Sequence, residues 1–246
     1  MKVVLSIAGS DSGGGAGIQA DIKTGEFFGV FMTTAITSIT SQNTCGVTDV
    51  LDVPTSVIKS QLKAIKDDFE ISAIKIGMLS SKEIIDIVYE FLEGVQAPVV
   101  LDPVFISKAG SPLMADENVE YLKKLFKFAT ILTPNLYEAK KLFGESLEVD
   151  APCDVVIKNI QVDDLSIDRI QYKDGSVKEL KTKFINSSNL HGTGCTFSTA
   201  IASNLALGKS LEEALKISKN YVHKAILNAP NLGHGKGPIR HNLNGL

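Results

Sequence analysis

The chain has 246 residues, 44% of them hydrophobic and 22% charged, with a formal net charge of −3. That is the composition of an ordinary globular protein, long enough to bury a full core in one domain spanning residues 1–246. The interspersed charge argues against a nucleic-acid partner, which would need a clustered basic surface, and no apolar run approaches membrane-spanning length.

Short apolar runs alternate with amphipathic stretches, the pattern of βαβ units and an α/β fold with a parallel sheet. Residues 3–9 form a first strand, their apolar run being too short for a signal-peptide core. A glycine-rich turn leads to a helix at 17–28, then a strand at 32–40. Val57, Ile58, Leu62, Ile65 and Phe69 share one helical face. Residues 73–78 make a strand, and Ile84, Ile87, Val88, Phe91 and Leu92 mark the next helix. Strands at 98–101, 129–133 and 154–158 follow. Asp174-Gly175 is a hairpin turn between 169–173 and 177–181. Helices at 195–207 and 211–227 close the pattern, the first stopped by Gly208. Cys45, Cys153 and Cys195 lie far apart, which suggests a reducing, cytoplasmic setting and no disulfide framework.

Parallel sheets bind ligands beyond the carboxyl ends of their strands. The polar residues there are Ser10, Asp11, Gln42, Asn43, Asp102, Asn135 with Glu138, and Lys158. They converge as a site, or they cap the helices that follow. The strongest local signal is His191-Gly192-Thr193-Gly194-Cys195-Thr196, small residues at a helix start. Such a turn aims backbone N–H groups at an anion, and the helix dipole adds to the attraction. Cys195 in the first turn reads as a thiol with a depressed pKa, or as a small inert core residue. Gly15-Ala16-Gly17-Ile18-Gln19-Ala20 formally fits a dinucleotide fingerprint, but no acid follows at the required distance. Leu207-Gly208-Lys209-Ser210 fails as a Walker A loop because Ser203 occupies the required glycine position. Met78 at a strand end reads as core or as the wall of an adaptable pocket. The glycine-rich segment 233–237 with Lys236 reads as a frayed tail, with a phosphate contact as the alternative.

Several of these segments fall in the order of one family. Ala8-Gly9-Ser10-Asp11 runs into Ser12-Gly13-Gly14-Gly15-Ala16-Gly17-Ile18-Gln19-Ala20-Asp21. Ser41-Gln42-Asn43-Thr44, Lys75-Ile76-Gly77-Met78, Leu101-Asp102-Pro103-Val104, Thr133-Pro134-Asn135-Leu136-Tyr137-Glu138 and the 191–196 turn follow. Together they resemble the hydroxymethylpyrimidine/phosphomethylpyrimidine kinases of thiamine biosynthesis, in the ribokinase-like superfamily. The resemblance implies a three-layer αβα fold with a mostly parallel central sheet, often as a homodimer. It implies ATP and Mg²⁺ as cofactors and two successive phosphorylations of a hydroxymethylpyrimidine. By matching positions, Gln42, Met78, Val104, Gly9 and, more weakly, Asp21 lie on the substrate side. Gly192, Thr193 and Gly194 supply the anion hole, and Cys195 stands where many members place an Asp base. Asp102 and Glu138 position magnesium through water, while Lys158, Asn135 and Lys236 lie on the nucleotide side.

One departure stands out. Lys158-Asn159-Ile160-Gln161 occupies the place of the family's Lys-Gly-Gly-His, so the backbone there cannot approach the nucleotide as glycines would. A pyridoxal kinase of the same superfamily and a catalytically silent pyrimidine sensor are the competing readings; the Gln42 context favours the pyrimidine.

Overall fold

In β1 (Val3–Asp11), successive side chains point to opposite faces: Val4 packs in one apolar cluster, and Leu5 and Ile7 in another. The same alternation runs through β4 (Ile71–Ile76), β5 (Val99–Leu101), β6 (Ile131–Leu132) and β7 (Asp154–Val162). A sheet buried on both faces needs a helical layer on each. On one side lie α1 (Gly17–Phe28), α6 (Thr193–Ala206) and α7 (Leu211–Leu227); on the other lie α2 (Thr55–Asp68), α3 (Lys82–Leu92), α4 (Asp116–Leu122) and α5 (Leu136–Phe143). This computed structural model describes residues 1–106, 110, 113–145 and 149–244.

The sheet has nine strands in the order β3-β2-β1-β4-β5-β6-β7-β8-β9, with β2 (Phe31–Asn43), β3 (Gly46–Asp52), β8 (Leu165–Gln171) and β9 (Val177–Lys183) completing it. The six strands from β2 to β7 run parallel, and β3, β8 and β9 are added antiparallel at the two edges. The fold is therefore the three-layer, mostly parallel arrangement expected. The strand ends of the parallel set share one rim, which is where the polar residues gather.

Three local expectations change. β3 carries no apolar alternation and is largely exposed, so periodicity does not reveal it. Val57 is also exposed, off the α2 stripe of Ile58, Leu62 and Ile65. The segment after Lys158 is no loop: β7 continues through it to Val162, paired with β8 across a bulge between Ile157 and Ile160. Asn159 sits in that bulge at φ +62, a left-handed conformation that Asn tolerates better than most residues.

Asp21 does not face a ligand. Its side chain is fully buried under the sheet rim: Oδ2 accepts from Ser6 Oγ at 2.6 Å and Lys75 Nζ at 2.8 Å, and Oδ1 accepts from Thr199 Oγ1 at 2.6 Å. One carboxylate thus ties β1, β4, α1 and α6 together. Burial alone would depress the Lys75 pKa, but the Asp21 charge, with Cys195 and Asp102, holds it above its ordinary value. Removing one partner of such a pair strands a buried charge, at a cost of about 3–5 kcal/mol. Asp21→Ala should lose stability of that order in urea unfolding, and Asp21→Leu combined with Lys75→Met should regain most of it. A small loss in the single variant would show that the pair is not desolvated in solution.

Candidate active site

The glycine run after β1 folds around one carboxylate. Asp11 Oδ1 accepts from Gly13 N at 2.8 Å, and Oδ2 accepts from Gly15 N at 3.0 Å and Ala16 N at 2.8 Å. His191 Nε2 lies 2.8 Å from the same Oδ2. Burial pushes the Asp11 pKa up, but the bonds from His191, Ala16 and Gly13 outweigh it and keep the carboxyl below its ordinary value. The loop therefore grips the residue that opens the second glycine turn. Gly192 follows at φ +85, and a Cβ there would collide with the Gly15 carbonyl oxygen.

That contact sets the start of α6, which no side chain caps. Among the described residues, the first-turn N–H groups of Gly194 and Cys195 have no acceptor in the chain. Thr193 differs from them: its N–H and its hydroxyl both turn back to Leu190 O, at 3.3 and 3.0 Å. Cys195 is a second correction. Its thiol stays protonated, because burial pushes its pKa up to about 11, against the opposing pull of the Lys75 ammonium.

Facing this turn are Asp102 and Lys158. A Cβ at Gly194 would lie 3.4 Å from both Asp102 Oδ2 and Lys158 Nζ. Lys158 pairs with Asp102 Oδ1, which also accepts from Thr133 Oγ1 at 2.9 Å. Glu138 is buried beside them, and burial together with the Asp102 charge, against the pull of Lys158, raises its pKa to about 7. Asn135 is primarily a cap: its Oδ1 accepts from Glu138 N, and Glu138 Oε2 accepts from Asn135 N. It still lines the cavity, below its capping bond.

At the β2 end, Gln42 is locked at its backbone by reciprocal bonds with the Ser12 hydroxyl, 2.8 Å each. Its side-chain amide lines the cavity, with Oε1 3.2 Å from Thr40 Oγ1, a hydroxyl that also donates to Ser10 O at 2.9 Å. Met78 and Val104 form the adjacent apolar wall, and Met78 Sδ packs against Gly9. The glycine-rich segment around Lys236 is not a frayed tail. Lys236 N donates to Thr44 O at 2.7 Å, Gly235 N to Thr44 Oγ1 at 3.1 Å, and His191 N to Gly237 O at 3.0 Å. The exposed Lys236 side chain consequently lines the same cavity as Gln42.

The cavity encloses about 530 Å³. Its far end, past Lys158, is walled by Ile185, Leu190, Phe197, Val222 and Ile226, an apolar slot suited to a flat base. The phosphomethylpyrimidine kinase profile matches residues 11–240, nearly the whole chain. The chain belongs to the phosphomethylpyrimidine kinase family. It is 42% identical to a hydroxymethylpyrimidine/phosphomethylpyrimidine kinase of Haemophilus influenzae, over 98% of this chain and 97% of that one. A thiamine biosynthesis bifunctional protein, ThiED of Geobacter sulfurreducens, is 38% identical over 98% of this chain and 52% of its own length. Among solved structures, the pyridoxal kinase from Staphylococcus aureus in complex with AMP-PCP and pyridoxal superposes with a TM-score of 0.87 at 34% identity, covering 98% of this chain and 93% of that one.

For a phosphomethylpyrimidine kinase, the residues that pattern reading passed over are informative. Lys75, Ser198 and Thr199 support the α6 turn from below, and Asp168 with Lys219 lines the cavity. Lys75 has a visible signal: a lone charge in an otherwise apolar strand. Asp168 and Lys219 have none, because they come together only through β8 and α7. Among the described residues no group of three or more His, Cys, Asp or Glu side chains is placed to hold a metal ion by itself.

The protonated state of Cys195 is directly testable. Peptide-resolved alkylation by iodoacetamide should keep accelerating at Cys195 as pH rises toward about 11. A rate that levels off near neutrality would mean a preformed thiolate and would reverse the assignment.

Proposed function

We infer that the chain transfers the terminal phosphoryl group of ATP to the hydroxymethyl group of 4-amino-5-hydroxymethyl-2-methylpyrimidine, and a second one to the monophosphate so formed, in thiamine biosynthesis. The observation that carries this reading is the position of the free Gly194 and Cys195 amides. They lie opposite Lys158 and Asp102, between a pyrimidine-sized pocket at Gln42 and an apolar slot beyond Lys158. Phosphoryl transfer asks for alignment and charge stabilisation more than covalent chemistry, and this arrangement offers both.

In the first step the substrate oxygen attacks the terminal phosphorus, the bond to the ADP oxygen breaks, and the hydroxyl proton passes to the Cys195 sulfur. The sulfur accepts it as thiolate, a minority form that Lys75 and the Gly17 N–H favour. Gly194 and Cys195 amides hold the charge on the migrating group, while Lys158 and Lys236 neutralise the nucleotide phosphates. Gln42 offers its amide to the ring edge beside Gly9, Met78 and Val104. In the second step the nucleophile is a phosphate oxygen, already ionised at neutral pH because its second pKa is about 6. It has no proton to surrender.

Asp102 and Glu138 fit magnesium. Both are oxygen donors at the cavity wall, the donor type that magnesium prefers, and Lys158 stands beside them. Held there, the ion would supply electrostatic stabilisation of the phosphate charge during transfer. No described helix is long and apolar enough to cross a membrane. The free cysteines fit a reducing cytoplasm, and the exposed Ile39 and Leu51, paired across the β2–β3 edge, offer a face for a second copy.

The likeness to a pyridoxal kinase makes pyridoxal the second reading. ATP consumption with hydroxymethylpyrimidine, its monophosphate and pyridoxal, each alone, separates them: turnover with the first two and not the third is expected. Turnover with pyridoxal alone would exchange the readings, and tight binding without turnover would leave a sensor. Cys195→Ala should slow the hydroxymethyl step by about 10²–10⁴-fold and the monophosphate step far less. Equal losses in both would assign Cys195 a structural role. Gln42→Ala should raise KM for both pyrimidines, with kcat changed less.

A further inference from the structure

The nucleotide end of the cavity holds a closed ring of polar contacts that the transfer chemistry does not use. Lys219 Nζ donates to Asp168 Oδ1 at 2.8 Å and to Ser166 Oγ at 3.1 Å. Ser166 Oγ donates to Asn159 Oδ1 at 3.1 Å, and Asn159 N donates to the same Asp168 Oδ1 at 2.7 Å. Asn159 is therefore gripped at both its main chain and its side chain. All four residues line the cavity, and the Lys219 and Asp168 side chains are 10% and 3% exposed.

Stability does not account for this ring. A buried ion pair roughly breaks even against apolar groups of the same shape, and a non-glycine residue at positive φ costs about 1–3 kcal/mol. Such a conformation persists only where its surroundings over-determine it, and strain of this kind collects at functional sites. What the ring fixes is the backbone immediately after Lys158, whose N–H is bonded to Pro134 O at 2.9 Å and whose ammonium pairs with Asp102. This is the position where the family pattern has glycine, the residue that adopts a left-handed φ without support.

We propose that Lys219 and Asp168 are positioning residues for the nucleotide: by holding Asn159 in its left-handed bulge they set where Lys158 meets the phosphates, replacing a glycine turn with a braced asparagine. The inference rests on the kinase reading above and goes beyond it, since it assigns the brace to the nucleotide and not to the pyrimidine. Lys219 acts through Asn159 and not by touching the ligand.

Steady-state kinetics on the full chain test it. Lys219→Met should raise KM for ATP about tenfold, with KM for the pyrimidine changed by less than about twofold. Lys219→Arg should restore much of the loss. The deciding variant is Asn159→Gly placed in the Lys219→Met background, which should return KM for ATP toward the parent value, because glycine needs no brace. Failure of that rescue would mean that Lys219 contacts the nucleotide itself and would overturn the proposal, as would an unchanged KM for ATP in a folded Lys219→Met. Should Lys219→Met not fold, Asn159→Val alone carries the test: a β-branched side chain resists the left-handed conformation and should weaken ATP to a similar degree. Calorimetric binding of ADP to the same set gives the answer without turnover. An inactive parent would sink the kinase reading, while parent-like ADP affinity in the variants would sink the brace.

Discussion

The Asp11 carboxylate is the contact on which the site depends. It stands at the end of β1 and gathers three loop amides and one imidazole, so that the glycine loop and the turn before α6 are folded onto the same anion. Without it, the turn that opens α6 would lose its direct tie to the end of β1. The close approach of Gly192 to the Gly15 carbonyl is possible only because neither loop carries side-chain bulk there. The anion hole proposed above at the Gly194 and Cys195 amides thus depends on a carboxylate that organises the loops around it.

A second theme is positive charge held in place. Lys75, Lys158 and Lys219 come from three different elements, and each is paired with an aspartate: Asp21, Asp102 and Asp168. Free lysines would have to be ordered and dehydrated when a polyanion enters. Tethered ones have already borne that cost during folding, which is the physical content of electrostatic preorganisation. Burial raises the Cys195 thiol pKa, and the paired Asp21 and Asp102 carboxylates add to that against the pull of Lys75.

Much of this was visible in the residues alone. The strand ends carrying Asp102, Asn135, Glu138 and Lys158 mark one rim because parallel topology leaves no other place for them. The α1 and α7 bounds follow from glycine and serine at their starts. Three things were not visible. Asp21 lies in a motif yet turns inward, since a motif records spacing and not direction. The pKa of Cys195 depends on how deeply the thiol is packed, and a first-turn position alone says only that a dipole is near. The strand after Lys158 hid behind an asparagine whose left-handed conformation needs Asp168, Ser166 and Lys219, residues close in space and far in sequence.

The clasp between Thr44 and the segment at 235–236 carries its own consequence. Gln42 and Lys236 belong to parts of the chain almost two hundred positions apart, yet they share a hinge of two hydrogen bonds. On the function proposed above, a ring that tightens the β2–β3 turn would also steady the lysine assigned to phosphate, and the reverse would hold by thermodynamic reciprocity. The pocket is in this sense a single tensioned span: load placed on either abutment is felt at the other.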